Sequence, residues 1–166
     1  MRRLAITLLG ASISLSLAGC DDARTESAPS GNDGPVVMAS SAIPDACNFL
    51  TGAELSTILG LSVEDGEPEA QPSEASQCRF RTQRSVVAVN IFPTSAADFD
   101  ERRAFLGADA ESVAGVGDSA YFWGPTMIHV RVADRAFSVR VGDELGDRLR
   151  PAMLELARVG AEKLGS

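Results

Sequence analysis

The chain has 166 residues, of which 15 are Lys or Arg and 23 are Asp or Glu, and its formal net charge is −8. A surface this acidic repels the phosphates of nucleic acids and anionic lipid headgroups, which excludes a nucleic-acid-binding protein and a polybasic membrane patch. Once an amino-terminal signal and a linker are set aside, about 120 residues remain, enough for one domain with a modest core.

The amino terminus has the pattern of a secretion signal. Two arginines follow Met1, and a 16-residue apolar run then leads to Cys20. A membrane-spanning helix needs about 20 apolar residues, whereas a short basic region, an apolar run and small residues are typical of a signal peptide. The end of the run, Leu17-Ala18-Gly19-Cys20, resembles the bacterial lipobox, which implies that residues 1–19 are removed and that Cys20 is lipidated. We therefore expect a lipid-anchored protein of the cell membrane, facing the periplasm or the cell exterior.

Residues 20–43 predict a tether between the lipid and the folded domain. They are rich in Ser, Ala, Gly, Pro, Asp and Asn, a composition that buries too little apolar surface to order itself. A flexible segment of this length reaches about 25 Å. The domain is expected to occupy residues 44–166.

The two remaining cysteines, Cys47 and Cys78, form an even pair in an exported chain. Such a pair favours a disulfide, because exported proteins fold in an oxidising compartment. Closing a loop of this length contributes about 3 to 4 kcal/mol in the chain-entropy model. A metal site is disfavoured, since there is no C-x-x-C spacing and no nearby His.

The first predicted helix follows Thr51. Thr51 and Glu54 have the spacing of a capping box, and Gly60 supplies a left-handed end. The next segment, residues 63–76, carries five acidic residues and two prolines. It lacks the ligand order of a calcium loop, so we predict a solvated acidic loop.

Two strands and a second helix are predicted next. Residues 77–82 and 85–92 are rich in β-branched and aromatic residues and are separated by a short turn. Ser95 then has the properties of an N-cap, and Gly107 those of a helix end.

The last third of the chain predicts three strands and a third helix. Residues 120–123, 127–133 and 136–141 alternate between apolar and polar side chains and form an antiparallel meander. Residues 147–164 have an apolar face at helical spacing. The expected fold is thus α+β, an antiparallel sheet of about five strands with three helices packed on one face, in the order α-β-β-α-β-β-β-α.

Three short segments of the domain resemble a family of bacterial envelope lipoproteins, a domain of unknown function common in actinobacteria. The segments are Asp45-x-Cys47-x-x-Leu50-Thr51-x-x-Glu54-Leu55-x-x-x-Leu59-Gly60, Cys78-Arg79-Phe80, and Gly115-Val116-Gly117-Asp118-x-Ala120-Tyr121. The resemblance covers most of the chain after residue 44. It implies no catalytic residues, and neither it nor the sequence implies a cofactor or a metal.

Only one residue could serve as a general base of the usual kind. His129 is the single histidine, so a Ser-His-Asp mechanism would depend on it. Its place in the middle of a strand, on the side opposite the core, predicts an exposed residue without a catalytic role. A hydrolase that uses His129 remains the least favoured hypothesis.

The main hypothesis is a non-enzymatic binding or accessory module. Strand alternation projects a set of mostly basic side chains away from the core, a pattern that favours an acidic ligand or an envelope protein as partner. The set comprises Arg79, Arg81, His129, Arg131 and Arg140, with Tyr121 and Trp123 available for stacking. The alternative is that these side chains only face solvent and bind no partner. A further hypothesis is an inhibitor of an exported muramidase or protease, which would act through a rigid loop at residues 63–76.

Overall fold

Residues 42–70 and 74–166 are described by the computed structural model. The predicted signal peptide, Cys20 and the tether up to residue 41 lie outside these ranges, so the corresponding expectations stay predictions. Within the described ranges, no helix has both the length and the apolar character that crossing a membrane requires.

A seven-stranded antiparallel sheet organises the domain, with strand order β1-β2-β3-β7-β6-β5-β4. The strands are β1 (Glu67–Glu69), β2 (Ser76–Arg81), β3 (Val86–Pro93), β4 (Ala110–Val113), β5 (Ser119–Trp123), β6 (Met127–Val132) and β7 (Arg135–Arg140). The predicted hairpin corresponds to β2 and β3, and the predicted meander to β5, β6 and β7. Pairing of β3 with β7 joins these two units into one sheet.

In the described residues, four α-helices accompany the sheet: α1 (Ala46–Phe49), α2 (Gly52–Leu59), α3 (Ala96–Leu106) and α4 (Leu149–Leu164). The capping box predicted at the start of α2 is confirmed, because the Thr51 hydroxyl accepts from the Glu54 amide and the Glu54 carboxylate accepts from the Thr51 amide. Gly60 ends α2 in the left-handed region at φ 65°. Ser95 caps α3, as predicted.

The main core lies between one face of the sheet and the helices α1, α2 and α4. Phe80, Val89 and Phe137 from the sheet and Leu156 from α4 are fully buried in it. Helix α4 approaches the sheet closely at Gly160, where an added Cβ would lie 2.4 Å from Phe137 Cζ.

The predicted disulfide is confirmed. Cys47 of α1 and Cys78 of β2 are bonded, with their Cα atoms 5.0 Å apart. The bond fixes the first helix to the sheet at the edge of the main core.

The predicted architecture of five strands with three helices on one face is wrong in three respects. The sheet has two further strands, β1 and β4, and the described residues contain a further short helix, α1. Helix α3 packs on the opposite face, where Phe99 contacts Tyr121 with 5.1 Å between ring centroids. Phe99, Tyr121 and Ala136 form a second, smaller core there.

Candidate functional site

A row of polar side chains crosses the face of the sheet on which α3 packs. The strand register places Gln77 opposite Asn90, Asn90 opposite Ser138, Ser138 opposite His129, and His129 opposite Tyr121. Side chains alternate along a strand, so these residues share the face that points away from the main core. With adjacent strands about 4.8 Å apart, this polar row spans about 19 Å.

A groove of about 750 Å³ lies over the polar row. Its floor includes Gln77, Asn90, Ser138 and His129, and its walls include Phe92, Arg102, Trp123 and Met127. A volume of this size is within the range of sites for small organic molecules, and so is the combination of apolar walls with a few polar groups. We refer to this site as the groove.

His129 occupies the floor of the groove and is only 7% exposed. Its ring stacks on Tyr121 with 4.8 Å between centroids, and Trp123 lies at 6.2 Å on a tilted plane. Neither Nδ1 nor Nε2 has a hydrogen-bond partner in the described part of the chain. The expectation of an exposed histidine is therefore wrong, because α3 and the aromatic rings cover this part of the face.

The electrostatic environment keeps His129 neutral. Burial, with a smaller effect from the positive charge of Arg102, lowers the pKa of His129 from 6.5 to about 4. A neutral imidazole has one N–H donor and one acceptor nitrogen. Both nitrogens are buried, so a molecule in the groove reaches them only if the surrounding side chains move.

Tyr121 is the second buried polar group of this region without a partner. Its ring is fully buried against Phe99, and its hydroxyl has no hydrogen-bond partner among the described residues. Burial raises the pKa of Tyr121, against the opposing charges of Arg102 and Arg103. Buried polar groups are nearly always paired, so two unpaired side chains side by side are unusual in a region with a purely structural role.

Arg102 of α3 brings a positive charge to the wall of the groove. Its guanidinium lies over the Phe92 ring, 5.1 Å from the centroid. No carboxylate of the described residues lies within ion-pair distance of it. The charge of Arg102 is thus not neutralised by a direct ion pair in this part of the chain.

The arginines of the predicted binding face are divided by the structure. Arg79 and Arg81 share the face with the polar row, but both pair with carboxylates of the edge strand β1. Arg79 pairs with Glu69, and Arg81 with Glu67 at 3.3 Å. An acidic partner would have to displace these carboxylates, which makes this end of the face a weak candidate.

The other two arginines of the predicted face also lie apart from the groove. Arg131 donates to Asp118 at 3.3 Å and to the Ala133 carbonyl at 2.8 Å, so it supports the adjoining loops. Arg140 is exposed and borders a smaller depression of about 210 Å³ next to Trp123. Trp123 is 45% exposed and contributes to both cavities.

The arrangement has little of the geometry of a catalytic dyad. Ser138 lies directly opposite His129 across the strand pair, yet both imidazole nitrogens lack a hydrogen-bond partner in the described ranges. A serine nucleophile needs a base in hydrogen-bond contact and a third group that orients the base. No cluster of three or more metal-binding side chains occurs among the described residues either.

The segment predicted as a solvated acidic loop is in part an edge strand. Residues Glu67–Glu69 form β1 and pair with β2. Gly66 packs against the disulfide, since an added Cβ would lie 2.3 Å from Cys78 Sγ. Residues 71–73 of this segment lie outside the described ranges, and the inhibitor hypothesis stays untested.

The sequence identified part of the groove and missed the rest. The sequence points to His129 and Trp123, which line the groove, and to Tyr121, which stacks on His129, but not to Asn90, Ser138 or Arg102. The available signal was a polar residue at the position facing away from the core in each apolar strand, Asn90 in Val-Asn-Ile and Ser138 in Phe-Ser-Val.

Comparison with known proteins gives no family for the chain. No family model matches its sequence, and no curated protein or solved structure is significantly similar to it. The resemblance to actinobacterial envelope lipoproteins therefore stays a prediction.

Proposed function

We propose that this protein is a lipid-anchored protein of the cell envelope whose domain binds a small organic molecule in the groove without transforming it. The observation that carries the proposal is His129, a buried side chain that lines the groove with both ring nitrogens unpaired. Leaving a buried polar group unpaired costs about 1 to 3 kcal/mol. A bound molecule that displaces the side chains covering His129 and hydrogen-bonds to its ring would offset this cost.

The composition of the groove supports a small molecule as the occupant. Its floor offers an amide at Asn90, a hydroxyl at Ser138 and a neutral imidazole, which together provide both donors and acceptors. Its walls offer Phe92 and Trp123 as apolar contact area. Sites for small organic ligands combine few polar groups with apolar walls in this way.

Binding is favoured over catalysis because the polar groups are not linked to one another. The Nε2 and Nδ1 atoms of His129 have no partner among the described residues, so neither Ser138 nor a carboxylate engages them. A proton relay requires such links, whereas recognition requires groups that are free to bond with the ligand.

The proposed location at the membrane is supported by the sequence, through the signal peptide and the lipobox-like segment that ends at Cys20. Mass spectrometry of the amino-terminal peptide of the native protein tests it. We expect a peptide that begins at Cys20 and carries a diacylglycerol mass. An intact, unmodified Met1 would refute the anchor and leave the groove proposal unaffected.

Molecules that accompany the native protein test the binding function. The full-length protein would be purified from its native envelope, and its bound small molecules would be extracted and identified by mass spectrometry. Asn90→Phe is expected to fill the groove and to abolish the retained molecule. Ala88→Phe is the matched control, because Ala88 lies two residues earlier on the same face of β3 and does not line the groove.

The comparison between these variants decides the proposal. A compound retained by the wild type and by Ala88→Phe, and lost from Asn90→Phe, supports it. An identical set of compounds in all three proteins, or none in any of them, contradicts it. Circular dichroism of each variant verifies that the fold is intact.

A further inference from the structure

We infer that the molecule bound in the groove is a monocarboxylate with an apolar or aromatic body, whose carboxylate pairs with Arg102. This inference rests on the proposed function and specifies the chemical class of its ligand. Arg102 and His129 carry it together, since both line the same groove and neither has a polar partner in the described ranges.

The charge of Arg102 favours an anionic group. In the described ranges, Arg79, Arg81 and Arg131 of the neighbouring sheet face each have a carboxylate within 4 Å. Arg140 and the exposed Arg102 have none, and of these two only Arg102 lines the groove, where it contacts the Phe92 ring. A guanidinium binds a carboxylate through two parallel hydrogen bonds, which is the geometry for which it is best suited. The charge of Arg102 also contributes to the lowered pKa of His129, which indicates that the two groups are near each other.

The remaining lining favours one negative charge rather than two. Among the described residues that line the groove, Arg102 is the only one with a cationic side chain, and Glu74 contributes a carboxylate at the border. A phosphate dianion would therefore have only one of its two charges opposite a cationic side chain of the lining. A carboxylate matches the single guanidinium, and the amide of Asn90 and the hydroxyl of Ser138 remain as neutral donors.

The apolar walls favour a body that is flat or aromatic. Trp123 exposes 45% of its surface, and Phe92 and Met127 are half-buried beside the floor of the groove. Covering the indole of Trp123 with an apolar group removes this surface from water and adds an aromatic contact. A volume of about 750 Å³ accommodates one such body together with its carboxylate.

A matched pair of compounds tests the inference on the full-length protein. Trp123 is the only tryptophan of the chain and lies in the wall of the groove, so its fluorescence reports on this site. Phenylbutyrate and phenylbutyramide share the same body and differ in the charge of one group. We expect phenylbutyrate to bind the wild type about tenfold more tightly than the amide, as one charge-assisted interaction would give.

Two arginine variants assign the charge effect to a residue. Arg102→Gln is expected to reduce the preference for phenylbutyrate to about onefold or twofold. Arg103→Gln removes the same charge from the next position of α3, which does not line the groove, and is expected to keep the preference. If both variants lose the preference for phenylbutyrate equally, the overall positive charge of α3 causes it, and the pairing with Arg102 is wrong.

The remaining outcomes separate this inference from the proposed function. If both compounds bind equally and Asn90→Phe abolishes both, the groove binds small molecules and the carboxylate inference is wrong. If neither compound changes the fluorescence of Trp123, the inference is also wrong, and the compounds recovered with the native protein decide the proposed function on their own. Loss of phenylbutyrate binding in Arg140→Gln alone would place the anion in the neighbouring depression and overturn the assignment.

Discussion

The buried histidine of the groove makes a quantitative prediction about stability and pH. The pKa of His129 is lowered by burial, and to a smaller extent by Arg102, from 6.5 to about 4. Between these two pH values the unfolded chain binds a proton that the folded domain does not bind. The free energy of unfolding therefore falls as the pH drops through this interval, and the contribution of His129 is complete above pH 6.5.

The size of this effect follows from the interval. Each pH unit between the two pKa values lowers the free energy of unfolding by about 1.4 kcal/mol. The loss amounts to about 2 kcal/mol between pH 6.5 and about 5. His129→Phe removes the titrating group and keeps a flat ring that can stack on Tyr121. Carboxylates elsewhere titrate in the wild type and in His129→Phe alike. The difference between the two proteins in the pH dependence of their free energy of unfolding therefore reports on His129 alone.

Urea unfolding followed by circular dichroism, at about pH 7 and pH 5, measures this difference. We expect the wild type to lose about 2 kcal/mol more than His129→Phe over this range. Parallel losses in the two proteins would show that the folded domain protonates His129 as readily as the unfolded chain does. An NMR titration that places the pKa of His129 near 6.5 would refute the reasoning directly.

Three predictions concern the helices on the main-core side of the sheet. Replacing Cys47 and Cys78 by Ala should lower the free energy of unfolding by about 3 kcal/mol, which urea unfolding measures. If a reductant destabilises the variant as much as the wild type, the disulfide has no stabilising role. Gly160→Ala should cost about 1 to 3 kcal/mol, because the new methyl group overlaps Phe137; an unchanged melting temperature would show that α4 can move away from the sheet. Thr51→Ala should cost about 1 kcal/mol through loss of the helix cap, and recovery of most of this stability by Ser but not by Val at the same position would confirm the hydrogen bond as its cause.

The elements that could be predicted from the sequence are those determined by nearby residues. Thr51 and Gly60 define the limits of α2 through contacts within a few residues, and Ser95 does the same at the start of α3. The hairpin of β2 and β3 and the meander of the last three strands join neighbours along the chain. Short-range rules of capping and alternation are sufficient for such elements.

The missed elements have no local signal of their own and depend on pairing or packing with another element. Glu67–Glu69 is acidic and contains a proline, so nothing local favours a strand, and its pairing with β2 forms β1. Ala110–Val113 is equally short and becomes β4 by pairing with β5. The packing of α3 on the second face follows from a contact between Phe99 and Tyr121 that periodicity alone cannot indicate.

The groove could be predicted only in part because it depends on contacts between strands that are distant in sequence. Alternation placed His129 and Tyr121 on the face away from the main core, but the polar row also requires the register of β3 against β7. This register brings Asn90 to Ser138 across a long separation in sequence, and it cannot be derived from either strand alone. The charges of Arg79 and Arg81 are evident from the sequence, but their ion pairs with Glu69 and Glu67 depend on the pairing of β1 with β2, which the sequence does not indicate.

A structural and a functional explanation of the polar row predict different effects of His129→Phe on the free energy of unfolding. If His129 stabilises the domain, His129→Phe should lower the free energy of unfolding at pH 7. If His129 is kept for a ligand, its two unpaired nitrogens are a cost to the folded domain, and an apolar ring of similar shape should leave the stability unchanged or raise it by about 1 kcal/mol. The same variant should then lose the ligand, because Phe offers neither a donor nor an acceptor at the floor of the groove. A domain that becomes more stable as it loses its ligand is one in which a buried polar group is retained for binding.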